Sequence, residues 1–262
     1  MKPLSDWRTP QGLIGVFTDI DDTLTTDGAI TPDALQALAD LKAAGLHVVP
    51  ITGRPVGWSV PFAASWPVDA IVAENGAVGL QHSASSGLRK LYQQDAATRR
   101  DNFSRMQTVL THIENSVPGA QRSQDSAGRE TDIAIDHSEF AHLGAADIER
   151  VVQLMKGEGL NATVSSIHIN GWIGGHDKLA GARWILQSRL GKALDDELDH
   201  WVYVGDSTND ARMFGHFPHS VGVANVARFQ AALSHLPRYV AQGERGAGFA
   251  EVAEAVLGAR AP

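Results

Sequence analysis

Residues 15–28 read GVFTDIDDTLTTDG, an apolar run that stops abruptly at three carboxylates, Asp19, Asp21 and Asp22. Acids packed this tightly repel one another, and partial burial adds a desolvation cost. A chain that keeps them at the end of a buried strand must gain something by it. Asp19 and Asp21 stand two apart, so in extended backbone both side chains point the same way, near the carboxyl end of their strand. In open α/β sheets that end is where ligands collect. An Asp-rich surface turn accounts for the same residues, because turns use Asp for local hydrogen bonds.

The pattern around this stretch sets the fold class. LIGVFTDI reads as a strand, and TPDALQALADLKAAGL as a helix capped by Thr31, with Pro32 in its first turn and Gly45 at its end. HVVPIT is the next strand, GRPVGWSVPFAASW holds a short helix, and VDAIVAE is a third strand. Continuous apolar strands separated by helices predict a parallel sheet covered on both faces. From about Gln81 the rhythm changes. A weak strand is followed by a helix within DAATRRDNFSRMQTVLTHIENSV and the strand-like pieces GAQRSQD and ETDIAID. The helix AADIERVVQLMKGEG then precedes the strand-like pieces NATVSSI and HINGWIG. Helix–strand–strand twice over predicts an open-faced antiparallel sheet with helices on one side. From Lys178 the first rhythm resumes with helix KLAGARWILQSRLG, strand HWVYVG, a helix near NDARMFG and strand HSVGV. Helix VARFQAALSHL, strand RYVA and helix GFAEVAEAVLGAR complete it. The expected architecture is α/β: a Rossmann-like doubly wound parallel sheet core over residues 1–82 and 176–262, interrupted by an inserted α+β cap of αββαββ order over residues 83–175.

Composition narrows the partners. A formal charge of −8 without long like-charge runs argues against nucleic acid, which needs a basic surface. There is no cysteine, so any metal must sit on oxygen or imidazole ligands, and the 11 histidines show no metal-binding spacing. MKPLSDWRTPQG has no apolar leader core, and no run of about 18 apolar residues occurs. A soluble, cytoplasmic protein without a membrane partner is expected, as a monomer or a homodimer.

Three other segments place chemistry at strand ends. ITGR puts the Thr52 hydroxyl at the end of the second strand, followed from Gly53 by backbone amides at a helix start, a good place to hold a phosphate oxygen. VGDSTND puts Asp206 and Asp210 at the end of another apolar strand. Lys178 opens a helix, where the dipole mildly disfavours a cation. Each has an ordinary alternative: Thr52 as a helix cap, the acids as turn and cap residues, Lys178 as a solvated charge. Their arrival at corresponding ends of one sheet is harder to explain that way.

These segments resemble the phosphatases of the haloacid dehalogenase superfamily. The family's first motif, Asp-x-Asp-x-Thr, is matched by Asp19–Thr23, the second by Thr52, the third by Lys178 and the fourth by Gly205–Asp210. ENGA (74–77) and GVANV (222–226) are similar to segments of the Cof-like and sucrose-phosphatase-like branch, whose large cap is inserted after the third core strand. The resemblance implies a Mg²⁺-dependent phosphatase acting on a small phosphorylated metabolite, with a sugar phosphate the family-level favourite. It further implies Asp19 as nucleophile and Asp21 as acid and base. Asp19, the Asp21 carbonyl and Asp206 would be metal ligands, Asn209 and Asp210 would orient them, and Thr52, Gly53 and Lys178 would bind phosphate. Arg54 and Asn75, on core loops facing the cap, are candidate substrate contacts. So are Arg122, Arg129, His137, His168 and Asn170, in or beside the cap strands, whereas Trp172 reads as packing or hinge. Two positions depart from the pattern: Asp22 stands where many members have Gly, and Asp177 beside Lys178 can compete for its charge. The rival readings are a phosphohexomutase, since GHDK resembles the phosphomannomutase context, and a catalytically silent phosphometabolite sensor.

Overall fold

Alternate residues of the apolar strands go to opposite faces of one sheet. Val16, Val48, Val202 and Val204 enter one hydrophobic cluster, while Phe17, Val49, Trp201 and Tyr203 enter another. The computed structural model describes residues 1–83, 85 and 87–258. The core sheet is parallel throughout, in the spatial order Lys2–Pro3, Tyr239–Val240, His219–Gly222, Trp201–Gly205, Gly15–Thr18, His47–Pro50. Helices Pro32–Ala43, Val56–Ser65 and Arg245–Gly258 cover the first face, and Lys178–Leu190 with Ala211–His216 cover the second. Burial on both faces is why these strands read as unbroken apolar runs.

The third strand, Ile71–Ala73, touches the parallel sheet through a single bridge, Ile51 to Val72, and then pairs antiparallel with Val78–Ser83. Gly87–Tyr92 adds to that hairpin. This differs from the expected division at residue 83: the segment assigned to the start of the cap is a strand continuous with the core. The inserted module begins with helix Ala96–Ser116, whose cap Asp95 accepts from Ala97 N at 2.9 Å and Thr98 N at 3.0 Å. Its four-stranded antiparallel sheet runs Asn161–Val164, His168–Trp172, Asp132–Asp136, Gln121–Arg122. Ile133, Ile135 and Ile169 pack with Met106, Leu110, Val151 and Met155 under helices Ala96–Ser116 and Ala145–Gly157. The residues between them, Asp132, Asp136, His168 and Asn170, are polar and yet buried.

Other elements are shorter than expected. Of VARFQAALSHL only the start is helical, within the 3-10 segment Ala224–Phe229. Thr31 takes the cap position of its helix without a side-chain capping bond. Lys2–Pro3 pairs with Tyr239–Val240, an edge the sequence pattern did not mark. Ala259 and Arg260, expected in the last helix, lie outside the described residues. Among the described residues no helix is long and apolar enough to cross a membrane.

One glycine is required by this packing. Gly76 has φ +107°, and a Cβ there would lie 2.1 Å from the Asp177 carbonyl oxygen, where the core loop presses on the start of helix Lys178–Leu190. Gly76→Ala is expected to lose at least about 2 kcal/mol of stability through combined strain and overlap. A denaturant midpoint unchanged from that of the unsubstituted protein would contradict this packing.

Candidate active site

Neighbouring parallel strands end at one edge of the sheet, and three of the singled-out residues follow directly. Asp19 succeeds Gly15–Thr18, Asp206 succeeds Trp201–Gly205, and Thr52 lies two residues past His47–Pro50. Lys178 reaches the same point from the first turn of its helix, with Nζ 2.8 Å from Asp19 Oδ1 and 2.7 Å from Asp210 Oδ1. Asp210 folds the 206–210 loop around itself, its Oδ2 accepting from Asp206 N at 2.9 Å and Ser207 N at 3.1 Å. The buried Tyr203 hydroxyl donates to Asp210 Oδ1.

Asp19, Asp206 and Asp210 offer carboxylate oxygens within 4.8 Å of one another, and all three are buried. Lys178 is the ammonium in contact with two of them. Burial, opposed by Lys178 but reinforced by Asp210 and Asp21, pushes the Asp19 carboxyl up to about 7. Burial and the charges of Asp19 and Asp210 drive Asp206 well above its ordinary value. Asp206 Oδ2 accepts from Asn225 Nδ2 at 3.1 Å, whereas its Oδ1 is buried with no hydrogen-bond partner. An orphaned, buried carboxylate oxygen in an all-oxygen cluster with surplus negative charge fits a hard divalent cation.

Asp22 and Asp177 each have their own counter-charge. Asp22, at φ +52°, lies 3.0 Å from Arg245 Nε, and its carbonyl accepts from Asn225 Nδ2 at 3.0 Å. Asp177 caps the Lys178 helix through Ala180 N at 2.8 Å and pairs with Arg212, so it does not take the Lys178 charge. Thr52 Oγ1 accepts from Arg54 N at 2.9 Å, which leaves the hydroxyl proton free to donate. The buried Arg54 side chain bonds Asp21 Oδ1 at 2.8 Å and Glu139 Oε1 at 2.7 Å, and lies 5.0 Å from the Trp58 ring centroid. Burial works against its charge, but Asp21 and Glu139 outweigh that and raise its pKa.

The cap candidates divide. Arg129 donates to Asp132 at 2.8 and 2.9 Å and to the Gly53 carbonyl at 3.1 Å; Asn170 donates to the same carbonyl at 3.2 Å. His168 Nε2 lies 2.9 Å from Glu139 Oε2. Arg122 pairs with Glu114 on the outer surface, and His137 is tied to the Ser165 carbonyl at 3.0 Å and Ser138 Oγ at 2.6 Å. Trp172 Nε1 donates to the His176 carbonyl at 2.8 Å, and its ring stacks on the His176 ring while packing in the cap's hydrophobic cluster. Two cavities flank the core–cap junction. One of 440 Å³ is lined by Asp21, Arg54, Glu139, Ser166 and Arg245. The other, of 320 Å³, is lined by Asn75, Lys178, His176, Trp172 and Asn209, and the buried Asn75 Nδ2 has no partner.

Tyr203, Glu139, Asp132 and Glu74 were missed by sequence reading. Glu74 is fully buried and accepts from Val56 N at 3.0 Å, Glu130 N at 2.9 Å and Thr131 N at 2.6 Å, joining core to cap. Its place in ENGA was visible in the sequence, but its partners were not.

A parallel α/β core, an inserted polar-faced cap and a buried acid–lysine cluster at the strand ends make up a capped α/β fold whose strand-end site offers oxygen ligands for a hard cation. Comparison with known proteins agrees. Residues 16–101 match the haloacid dehalogenase-like hydrolase family. A phosphoglycolate phosphatase of Pyrobaculum neutrophilum is 28% identical over 259 residues, spanning 94% of this chain and 98% of the relative. A crystal structure from Thermoplasma acidophilum superposes with TM-score 0.68 at 17% identity, covering 92% of this chain and 96% of its own. The Synechocystis sucrose-phosphatase, crystallised with sucrose and phosphate, superposes with TM-score 0.64 at 16% identity, covering 93% and 97%.

The raised Asp206 carboxyl has a consequence for stability. Burial and like charges disfavour the Asp206 anion in the folded chain but not in the unfolded one, so stability is fully present below the ordinary value of 3.8 and is lost as pH rises above it. Asp206→Asn is therefore expected to raise the melting temperature in a chelator at pH 8, to leave it unchanged near pH 3, and to abolish any stabilisation by added Mg²⁺. Equal melting with and without the substitution at pH 8 would contradict the like-charge reading. Tyr203→Phe is expected to cost about 1.5–3 kcal/mol, the range for a hydrogen bond to a charged group, by the same melts.

Proposed function

We propose that the chain is a Mg²⁺-dependent phosphatase that hydrolyses a small phosphorylated metabolite through an aspartyl-phosphate intermediate. The observation that carries this reading is the Lys178 ammonium 2.8 Å from Asp19, in the same buried cluster as the unpartnered Asp206 Oδ1. The Asp19 carboxylate, the Asp21 carbonyl and Asp206 would hold Mg²⁺, which supplies the positive charge that lets an anionic nucleophile approach a phosphate dianion. An Asp19 oxygen attacks phosphorus in line, and the bond to the leaving alkoxide breaks as the Asp19–phosphorus bond forms. Asp21 gives its proton to that alkoxide, then takes one from the water that hydrolyses the acyl phosphate and returns Asp19. The free Thr52 proton, the Gly53 amide and Lys178 hold the equatorial oxygens, while Asn209 and Asp210 keep the acid loop in place.

Two relatives support the reaction type: one is named a phosphoglycolate phosphatase, and the other is a sucrose-phosphatase crystallised with phosphate. They differ in substrate, so the leaving group is set by the cavities at the core–cap junction, with a sugar phosphate the favoured class.

Asp19→Asn is expected to lower kcat by about 10³-fold or more in a folded protein, as removal of a nucleophile does. Chelation is expected to abolish phosphate release and Mg²⁺ to restore it. The deciding measurement is phosphate release, with and without Mg²⁺, over p-nitrophenyl phosphate, sugar phosphates, phosphoglycolate and nucleotides. Isomerised sugar phosphate without free phosphate would mark a mutase, and no turnover on any compound would mark a sensor.

A further inference from the structure

We propose that Arg129 and Asn170 are positioning residues, through which the closed cap aims the Thr52 hydroxyl at the phosphate by holding the Gly53–Arg54 peptide. That single peptide plane is gripped at both ends. Its carbonyl, on Gly53, accepts from Arg129 Nη1 at 3.1 Å and from Asn170 Nδ2 at 3.2 Å. Its N–H, on Arg54, donates to Thr52 Oγ1 at 2.9 Å. A hydroxyl that accepts from behind turns its own proton forward, and tilting the plane removes that constraint.

The two cap side chains are themselves locked. Asp132 lies between them, accepting from Arg129 Nη1 at 2.8 and 2.9 Å and from Asn170 Nδ2 at 3.2 Å, and none of the three is more than 4% exposed. Arg129 Nη2 also reaches Asp125 Oδ1 at 3.1 Å. With these partners the pair binds the core loop rather than a leaving group. The neighbouring backbone fixes the approach. A Cβ on Gly57 would sit 2.8 Å from Gly128 Cα, and Glu130 N and Thr131 N are bonded to the buried Glu74 carboxylate of the core. The loop leading into strand Asp132–Asp136 thus docks on the start of helix Val56–Ser65, next to the phosphate-binding residues.

The inference rests on the phosphatase reading of this site, and the test separates the two. Residues that touch the leaving group change discrimination among substrates; residues that orient the phosphate loop weaken every phosphomonoester alike. Asn170→Ala is expected to lower kcat/KM about tenfold, the worth of one net hydrogen bond, for p-nitrophenyl phosphate and for the best phosphometabolite equally. The inhibition constant of inorganic phosphate should rise by a similar factor. In a Thr52→Val background the Asn170→Ala change should add little, because both act on one group. Arg129→Lys, which keeps the charge opposite Asp132 but not the reach to Gly53, carries the same expectation should Asn170→Ala fail to fold. A loss confined to the larger substrate, or full additivity with Thr52→Val, would overturn the inference. A wild-type protein that releases no phosphate from any compound would instead overturn the phosphatase reading.

Discussion

The ammonium of Lys178 held between Asp19 and Asp210 is the contact on which the rest of the site depends. It brings together groups from three separate parts of the chain, and it does so below the surface, where each charge has lost its water. One cation does not balance the Asp19, Asp206 and Asp210 carboxylates, and burial together with the neighbouring acids pushes the Asp206 carboxyl well above its ordinary value. A protein gains no stability from such a deficit. It makes sense as a site shaped for a charge that arrives with the chemistry.

The same logic extends across the junction to the cap. Arg54, Arg129 and Glu74 are buried charged side chains that bond within their own module and also reach across to the other. Desolvated ion pairs contribute less net stability than apolar packing, but they tolerate few alternative geometries. The cap sheet therefore turns its polar residues toward the core because they dock there in one register. Alternation along strands Asp132–Asp136 and His168–Trp172 separates the two duties: isoleucines into the cap's own core, polar groups toward the catalytic edge.

This division explains what could be read in advance. The strands, the inserted module and the convergence of Asp19, Thr52, Lys178 and Asp206 were legible, because apolar periodicity marks strands and local motifs mark their ends. Arg129 and Asn170 were singled out as polar residues on an open sheet face. Their engagement with the Gly53 carbonyl was not readable, since a half-exposed and a docked sheet share one sequence pattern. Glu74, Glu139 and Tyr203 carried no signal as site residues. Glu74 finds Thr131 fifty-seven positions away, and Glu139 finds Arg54 eighty-five away, so no spacing rule applies. The segment beginning VARF has helical periodicity but forms only a 3-10 turn, next to Asn225, whose side chain reaches back to Asp22 and Asp206.

The return from cap to core is short. Only five residues separate the end of strand His168–Trp172 from Lys178, and Gly174 and Gly175 are among them. Its Ile173 carbonyl accepts from Gln94 Nε2 at 3.0 Å, so the outgoing and incoming connections are tied together. The far end is clamped where Gly76 presses on Asp177. With so little slack, the last residues of the module and the Lys178 ammonium that pairs with Asp19 are held as one piece of structure.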